Sequence, residues 1–224
     1  MKEELAEIIG EIGFSKWGVG DIAGAHPLGA EYPKALSVVL AYDPSFTSGD
    51  EASLHALATR NKEEFDVKFA QLADFFAGRE VRHHVVQVQL DKATLRDTFS
   101  QKFAATRAGF GWVGKSDLLV TPEYGPRVRL GTILFDADVE ADAPVQESRC
   151  GTCTACVEAC PYGALHGSLW SPGTPREEIV DVFTCNGKRE AFVATTGSKR
   201  TCGTCQLACP VGVRKDAPVH AEAE

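Results

Sequence analysis

Eight cysteines lie in the last third of this 224-residue chain, at spacings typical of iron-sulfur proteins. Residues 150–161 read CGTCTACVEACP, a C-x2-C-x2-C-x3-C-P run, and residues 202–210 read CGTCQLACP. In proteins with two 4Fe-4S clusters, the fourth cysteine of such a run binds the other cluster instead of its own. Together with Cys185, the two runs supply enough thiolates for two 4Fe-4S clusters.

Counting the thiolates assigns each one to a cluster. Three cysteines of the first run lie on one short loop, and the last cysteine of the second run crosses over to complete their set. The first predicted set is Cys150, Cys153, Cys156 and Cys209. The second run carries Lys199 where a leading cysteine is expected, so Cys185 is the thiolate left to fill that place. The second predicted set is Cys160, Cys185, Cys202 and Cys205.

Two other interpretations of the cysteines fit less well. Structural zinc uses pairs of C-x2-C knuckles and has no need of a C-x3-C-P crossover. A disulfide framework is typical of small secreted domains, whereas this chain is long and begins without an apolar leader. Because cluster thiolates survive best in a reducing compartment, we expect a cytoplasmic protein.

The composition limits the partners that we expect. Lys and Arg total 23 against 31 acidic residues, which gives a net charge of −8. Phosphate neutralisation supplies most of the affinity of nucleic-acid binders, so an acidic chain is a poor candidate for that class. No stretch approaches the roughly 20 apolar residues of a membrane span, so no membrane partner is predicted.

Hydrophobic periodicity predicts an α/β domain followed by a cysteine module. Helices are predicted at 2–14, 53–77 and 95–107, and strands at 35–41, 81–90, 118–121 and 128–135. A polar stretch with Pro144 marks the boundary, which gives domains at 1–145 and 146–213. Residues 214–224 have no apolar periodicity, and we expect them to be disordered.

The glycines at 109, 111 and 114 spell G-x-G-x-x-G, a pattern that in dinucleotide-binding domains follows a strand and opens a helix. Here a predicted helix precedes the glycines and a strand follows them. Bulky Phe110 and Trp112 also fill positions where a dinucleotide would approach. The glycines are expected to allow either a tight helix-to-strand corner or the close approach of a large flat ligand.

The stretch FAATRAGFGWVGKSDLLVTPEYGPRVRLGTILFDADVE at 103–140, followed by CGTCTACVEACPYGAL at 150–165, resembles the epoxyqueuosine reductases and, more distantly, the reductive dehalogenases. This resemblance implies an α+β protein. Its first domain would be a nitroreductase-like α/β domain with a mixed sheet that binds cobalamin, and its second a two-cluster ferredoxin-like module. It also implies that the clusters pass single electrons to a base-off cobalamin, reaching Co(I), from a low-potential donor of ferredoxin or flavodoxin type.

Site residues follow from the same resemblance and from side-chain chemistry. The residues predicted to bind the corrinoid are Gly111, Trp112, Gly114, Lys115, Tyr124 and Arg127. Tyr124, Lys115 and Asp97 are candidate proton donors, although the family's acidic position ahead of the glycine turn falls on Leu95. The competing interpretation is that the aromatic residues are core and that the cations form a solvated strand face.

Three possibilities stay open at this point. The first is reduction of a small substrate at cobalamin, as in the epoxyqueuosine reductases. The chain is acidic and stops soon after its last cysteine, so a tRNA substrate is not expected. The second is an electron carrier or reductive activator for a separate corrinoid protein. A third variant places a flavin, or no organic cofactor, in the first domain.

Overall fold

The computed structural model describes residues 1–46, 51–196 and 202–213, so the predicted disordered tail at 214–224 lies outside the described residues. The helices are α1 Lys2–Ile12, α2 Glu51–Ala77, α3 Gln101–Arg107, α4 Ala155–Glu158, α5 Val182–Thr196 and α6 Thr204–Leu207. The strands are β1 Lys16–Asp21, β2 Lys34–Ala41, β3 His83–Val85, β4 Trp112–Val113, β5 Leu119–Val120 and β6 Val128–Phe135. Short 3-10 turns lie at Pro27–Ala30 and Arg176–Glu178. No helix in these ranges is long and apolar enough to span a bilayer.

The main sheet has the strand order β1-β2-β6-β3, and each neighbouring pair is antiparallel. The prediction of a mixed sheet is therefore wrong. A strand, a long helix and a second strand along the sequence are typical of parallel neighbours. Here β6 lies between β2 and β3 and runs against both of them, so the two strands that share a direction are not adjacent.

The sheet lies between two layers of helix. On one face α1 and α2 bury an apolar core that includes Leu5, Ile9, Leu72 and Phe76. The helical spacing of these residues predicted both helices, and the structure confirms them. On the other face α3 and the short β4–β5 pair cover the sheet, with Phe110 as a fully buried contact. This second face carries the candidate site.

Three segments differ from the sequence prediction, and in one of them the strand predicted at 81–90 is confined to His83–Val85. Strand β1 was not predicted, because KWGVGD contains two glycines that weaken the strand pattern. These glycines permit close packing, since a Cβ on Gly20 would lie 2.6 Å from Arg107 Cβ. The helix predicted at 95–107 begins only at Gln101, where the Ser100 hydroxyl caps it by accepting the Phe103 N–H.

The glycine-rich turn is a helix-to-strand corner, as one of the two expectations had it. Helix α3 ends at Arg107 and β4 begins at Trp112. Gly109 has a φ of +75°, and a Cβ on Gly111 would lie 2.0 Å from the Val120 carbonyl oxygen. The glycines therefore let two stretches of the chain's own backbone approach each other, and no phosphate is needed to explain them.

Replacing Gly111 by alanine is expected to lower the free energy of unfolding by about 1–3 kcal/mol, because the new Cβ has no space beside Val120. The matched control is Gly10→Ala in the interior of α1, where nothing lies within 4 Å of the new Cβ. This control should gain about 0.5–1 kcal/mol from the reduced entropy of the unfolded chain. Thermal unfolding of the two variants measures the difference, and equal midpoints would contradict the packing argument.

Candidate iron-sulfur centre

The first predicted set of thiols is brought together, although its members come from both cysteine runs. Burial raises the pKa of the Cys156 thiol, and the neighbouring charges of Cys150, Cys209 and Cys153 raise it further. Burial also raises the pKa of Cys209, an effect opposed by the Val211 N–H and by Arg127. Cys209 lies more than fifty residues beyond Cys156 along the chain and is nevertheless its neighbour in space.

The second predicted set is also brought together. Burial raises the pKa of Cys205 to about 12, and nearby Cys185, Cys202, Cys156 and Cys160 add to the rise. The pKa of the Tyr162 hydroxyl is raised by burial and then by three thiols of this set, of which Cys202 acts most strongly. Cys156 of the first set contributes to Cys205, so the two sets are adjacent.

The donor set suits clusters better than a single metal ion. Within residues 1–46, 51–196 and 202–213, no three His, Cys, Asp or Glu side chains are arranged to hold one ion. A 4Fe-4S cluster does not require such an arrangement, because each thiolate binds a different iron at a corner of the cube. Cys153 and Cys185 are exposed and the other six cysteines are half-buried, so both sets lie close to the surface.

The segment 111–127, which we call the hairpin segment, contacts the first cysteine loop. The Trp112 indole Nε1 donates a hydrogen bond to Cys150 Sγ at 3.3 Å. The buried Lys115 ammonium donates to the main-chain oxygens of Gly151 at 2.8 Å and Cys153 at 3.1 Å. A Cβ on Gly114 would lie 3.6 Å from Cys150 Sγ, so the glycine brings the backbone close to the thiol.

The same segment contacts the second cysteine run through Arg127. Its buried guanidinium donates to the carbonyls of Gln206 at 3.2 Å and Cys209 at 3.0 Å, and also to that of Val211. Burial lowers the pKa of Arg127, while the nearby Cys209 thiolate opposes the shift. A Cβ on Gly212 would lie 2.3 Å from the carbonyl carbon of Tyr124, so the two backbones touch.

A cleft of about 1000 Å³ is lined by residues between positions 25 and 146 and by residues of the segment 170–179. Its wall mixes apolar and charged side chains. The apolar residues include Val88, Leu90, Val113, Leu130 and Trp170, and the charged ones include Asp97, Lys102, Asp117 and Arg176. Val113 and Asp117 belong to the hairpin segment, which therefore contacts the first cysteine loop and also lines the cleft.

Three charged residues of the cleft wall form a network. Asp117 pairs with Lys102 Nζ at 2.5 Å and with Arg176 Nε at 2.9 Å. Arg176 also donates to the Leu95 carbonyl at 2.8 Å. Burial lowers the pKa of Lys102, and the charge of Asp117 opposes that shift. The network connects the segment 170–179 to the part of the cleft wall that includes Asp97.

The predicted site residues lie in two places, the cleft and the contacts with the cysteine loops. Asp97 lines the cleft, where its carboxylate accepts the N–H groups of Gln89 and Thr98. Among the described residues, the six predicted corrinoid-binding positions do not contribute to the cleft lining, and four of them meet the cysteine loops. Their assigned roles stay predictions. Sequence reasoning missed Lys102, Asp117 and Arg176, for which the one signal is that Asp117 is the sole acid between 103 and 122.

Comparisons with known proteins agree with this arrangement. Residues 149–212 match the family model described as a 4Fe-4S double cluster binding domain. The chain is 32% identical over 210 residues to the epoxyqueuosine reductase of Bacillus subtilis (strain 168), a match that covers 86% of this chain and 51% of that protein. The chain thus spans about half the length of that curated relative.

Two solved structures share the fold. One is an epoxyqueuosine reductase with a tRNA-Tyr epoxyqueuosine-modified tRNA stem loop, with a TM-score of 0.60 and 24% identity over 98% of this chain and 67% of that one. The other is the catabolic reductive dehalogenase NpRdhA with 3-bromo-4-hydroxybenzoic acid, with a TM-score of 0.67 and 20% identity over 96% of this chain and 32% of that one.

The class defined by the fold and the cysteines is that of iron-sulfur proteins with two 4Fe-4S clusters, which confirms the two-cluster prediction. Within that class, the chain is similar to the epoxyqueuosine reductases, as its motifs predicted.

The prediction that a tRNA partner is not expected is wrong. An epoxyqueuosine reductase of this fold is solved with a tRNA stem loop, and the match covers 98% of this chain. The error came from using as evidence the position where the chain stops and the net charge of −8, a number that averages over the whole surface and says nothing about one face.

Proposed function

We propose that this protein is an iron-sulfur reductase of the epoxyqueuosine type, in which electrons pass through the two clusters to a cobalamin held in the cleft. The observation that carries the proposal is the position of the hairpin segment. Trp112 in this segment contacts Cys150, and the next residue, Val113, lines the cleft. One layer of protein therefore separates the first cluster from the cleft.

We propose the ligand sets derived from the sequence, Cys150, Cys153, Cys156 and Cys209 for the first cluster and Cys160, Cys185, Cys202 and Cys205 for the second. Their support is the mutual effect of the thiols on each other's pKa values. The double cluster family model spans all eight cysteines, including Cys185 between the two runs. Clusters of this kind need a reducing compartment, and we place the protein in the cytoplasm.

The residues of the cleft suit a corrinoid. A corrinoid is a broad macrocycle with an apolar face and a rim of amides, and it supplies a cobalt centre that accepts single electrons and attacks carbon. The cleft has the size and the mixed lining of a site for a large organic cofactor. We propose that residues 1–145 are a nitroreductase-like corrinoid domain and residues 146–213 the cluster module. Val88, Leu90 and Trp170 would face the macrocycle, and Lys102 and Arg176 would be near its polar rim.

Asp97 is the proposed proton source for the substrate. Of the three predicted donors, it is the one whose residue lines the cleft. Its Oδ2 accepts the Gln89 N–H at 3.1 Å and its Oδ1 the Thr98 N–H at 2.8 Å, which fixes the carboxylate in position. Lys115 instead holds the first cysteine loop, and the main chain of Tyr124 packs against Gly212.

The experiment that tests this function is an anaerobic titration of the reconstituted protein with hydroxocobalamin and a mild reductant. After desalting, we expect one corrinoid per chain and the EPR signal of base-off Co(II). Turnover of an epoxyqueuosine-modified stem loop would then establish the substrate. Intact clusters without a bound corrinoid would overturn the proposal. That result would favour the electron carrier, for which the exposure of Cys153 and Cys185 is the supporting observation.

A further inference from the structure

We infer that the hairpin segment sets the reduction potential of the first cluster, with Trp112 and Lys115 as the side chains that raise it. This inference goes beyond the proposed function and takes from it only the assignment of Cys150 and Cys153 to the first cluster. It requires neither a corrinoid nor a substrate. The cluster would thus be tuned by the N-terminal domain, although its ligands come from the C-terminal module.

Trp112 supplies a hydrogen bond to a ligand sulfur. Its indole N–H can only donate, and it lies 3.3 Å from Cys150 Sγ. Hydrogen bonds to cluster sulfurs stabilise the reduced state, which carries one more negative charge, and so raise the potential. The side chain is 4% exposed, and β4 holds it in register opposite Val120 of β5. Water therefore does not compete for the bond.

Lys115 supplies a fixed positive charge. Its ammonium bonds to the main-chain oxygens of Gly151 and of Cys153, which is itself a predicted ligand of the first cluster, and these oxygens carry no net charge. The lysine is 6% exposed, so its charge acts through a medium less polarisable than water and is screened less. A positive charge at this position favours the reduced cluster and again raises the potential.

Two neutral hydroxyls contact Cys202, a predicted ligand of the second cluster. The hydroxyl of Thr204 lies 2.9 Å from Cys202 Sγ, and the Tyr162 hydroxyl bonds to the same cysteine. These groups act by hydrogen bonding and add no charge. The ammonium of Lys115, in contrast, adds a positive charge at the first cluster, which is the one beside the cleft.

The test is an EPR-monitored redox titration of the full chain with both clusters reconstituted and no corrinoid added. The variants are Trp112→Phe, which keeps an aromatic ring but removes the N–H, and Lys115→Met, which keeps the length but removes the charge. Trp17→Phe is the matched control for the first, since Trp17 packs against the main core. Lys68→Met is the control for the second, because the Lys68 ammonium also donates to two main-chain carbonyls, those of Ile12 and Gly13.

We expect both hairpin variants to lower the midpoint potential of one cluster, with unchanged iron content, and both controls to leave the two potentials unaltered. Lys115→Arg, which keeps the charge, should restore the potential. The shift should persist in a Cys185→Ala background, where the first cluster is the one retained. Unchanged potentials in both hairpin variants would overturn the inference. Loss of iron from one cluster without a shift in the other would also overturn it, because the contacts would then serve assembly and not tuning.

Discussion

Replacing Cys209 by alanine is expected to remove the first cluster and leave the second in place. Cys209 belongs to the second cysteine run, yet its thiol lies near the thiols of Cys150, Cys153 and Cys156. A 4Fe-4S cluster needs four ligands, so the loss of one converts or abolishes it. We expect about half of the bound iron to disappear. Iron per chain after anaerobic reconstitution, together with the EPR spectrum of the reduced protein, measures the loss.

The complementary variant is Cys185→Ala, which should remove the second cluster by the same chemistry. Cys185 lies on α5 between the two runs and affects the pKa of Cys205. Each variant is thus the control for the other, since both delete one thiolate and should leave opposite clusters. The two EPR spectra should add up to that of the unmodified protein. If both variants retained the same cluster, the crossover of Cys209 would be wrong.

The grouping of the cysteines could be predicted because it follows from a local rule. Three ligands on one loop must share a cluster, and the crossover of the fourth is a property of the motif. The long elements were predictable for a similar reason. The apolar residues of α2 repeat at helical spacing, and those of β2 and β6 form short β-branched runs. In each case the pattern lies within a few residues of sequence.

The contacts of the hairpin segment could not be predicted in this way. Trp112 meets a thiol 38 residues away, and Arg127 meets carbonyls 79 to 84 residues away. Side chains that donate to main-chain oxygens leave no mark on the sequence of the acceptor, because any residue supplies a carbonyl. The residue types indicated a binding site that uses hydrogen-bond donors and aromatic rings. They did not show that these donors hold the cluster loops.

The antiparallel arrangement of the sheet strands could not be predicted from the sequence, for another reason. The order strand, helix, strand from β2 to β3 has the appearance of a parallel pair, and only the insertion of β6 between them gives the antiparallel sheet. Residues 86–100, which form part of the cleft wall, were also wrongly predicted as strand and helix. Leu95 adopts a φ of +51° there, and Asp91 caps a turn by accepting the N–H groups of Ala93 and Thr94. Turn chemistry of this kind overrides apolar spacing.

Replacing Asp117 by asparagine is expected to destabilise the wall of the cleft. The substitution keeps the size of the side chain and removes the charge that holds Lys102 and Arg176, whose side chains are 28% and 30% exposed. Because hydrogen bonds to charged groups are each worth about 1.5–3 kcal/mol when buried and less when partly solvated, we expect a loss of about 1–3 kcal/mol. For a chain of this length, that is a fall in the thermal midpoint of about 2–4 °C per kcal/mol. Asp66→Asn is the control, because its pair with Lys62 is exposed on both sides and should contribute less than about 0.5 kcal/mol.

The loss of stability in the Asp117→Asn variant, which we call the deficit, should depend on pH. The direction of this dependence follows from the pKa of Lys102. Burial holds the folded-state pKa of Lys102 below its ordinary value of 10.5, while Asp117 opposes the shift, so removing Asp117 lowers that pKa further. At a pH below both folded-state pKa values Lys102 is charged in both proteins, and the deficit is complete. As the pH rises through the two folded-state pKa values, Lys102 loses its proton and no longer needs the carboxylate, so this part of the deficit disappears below 10.5. Thermal midpoints of the variant and the unmodified protein, measured between neutral pH and 10.5, should therefore converge. A difference that stays constant over this range would exclude Lys102 as its source and leave only the bond between Asp117 and Arg176.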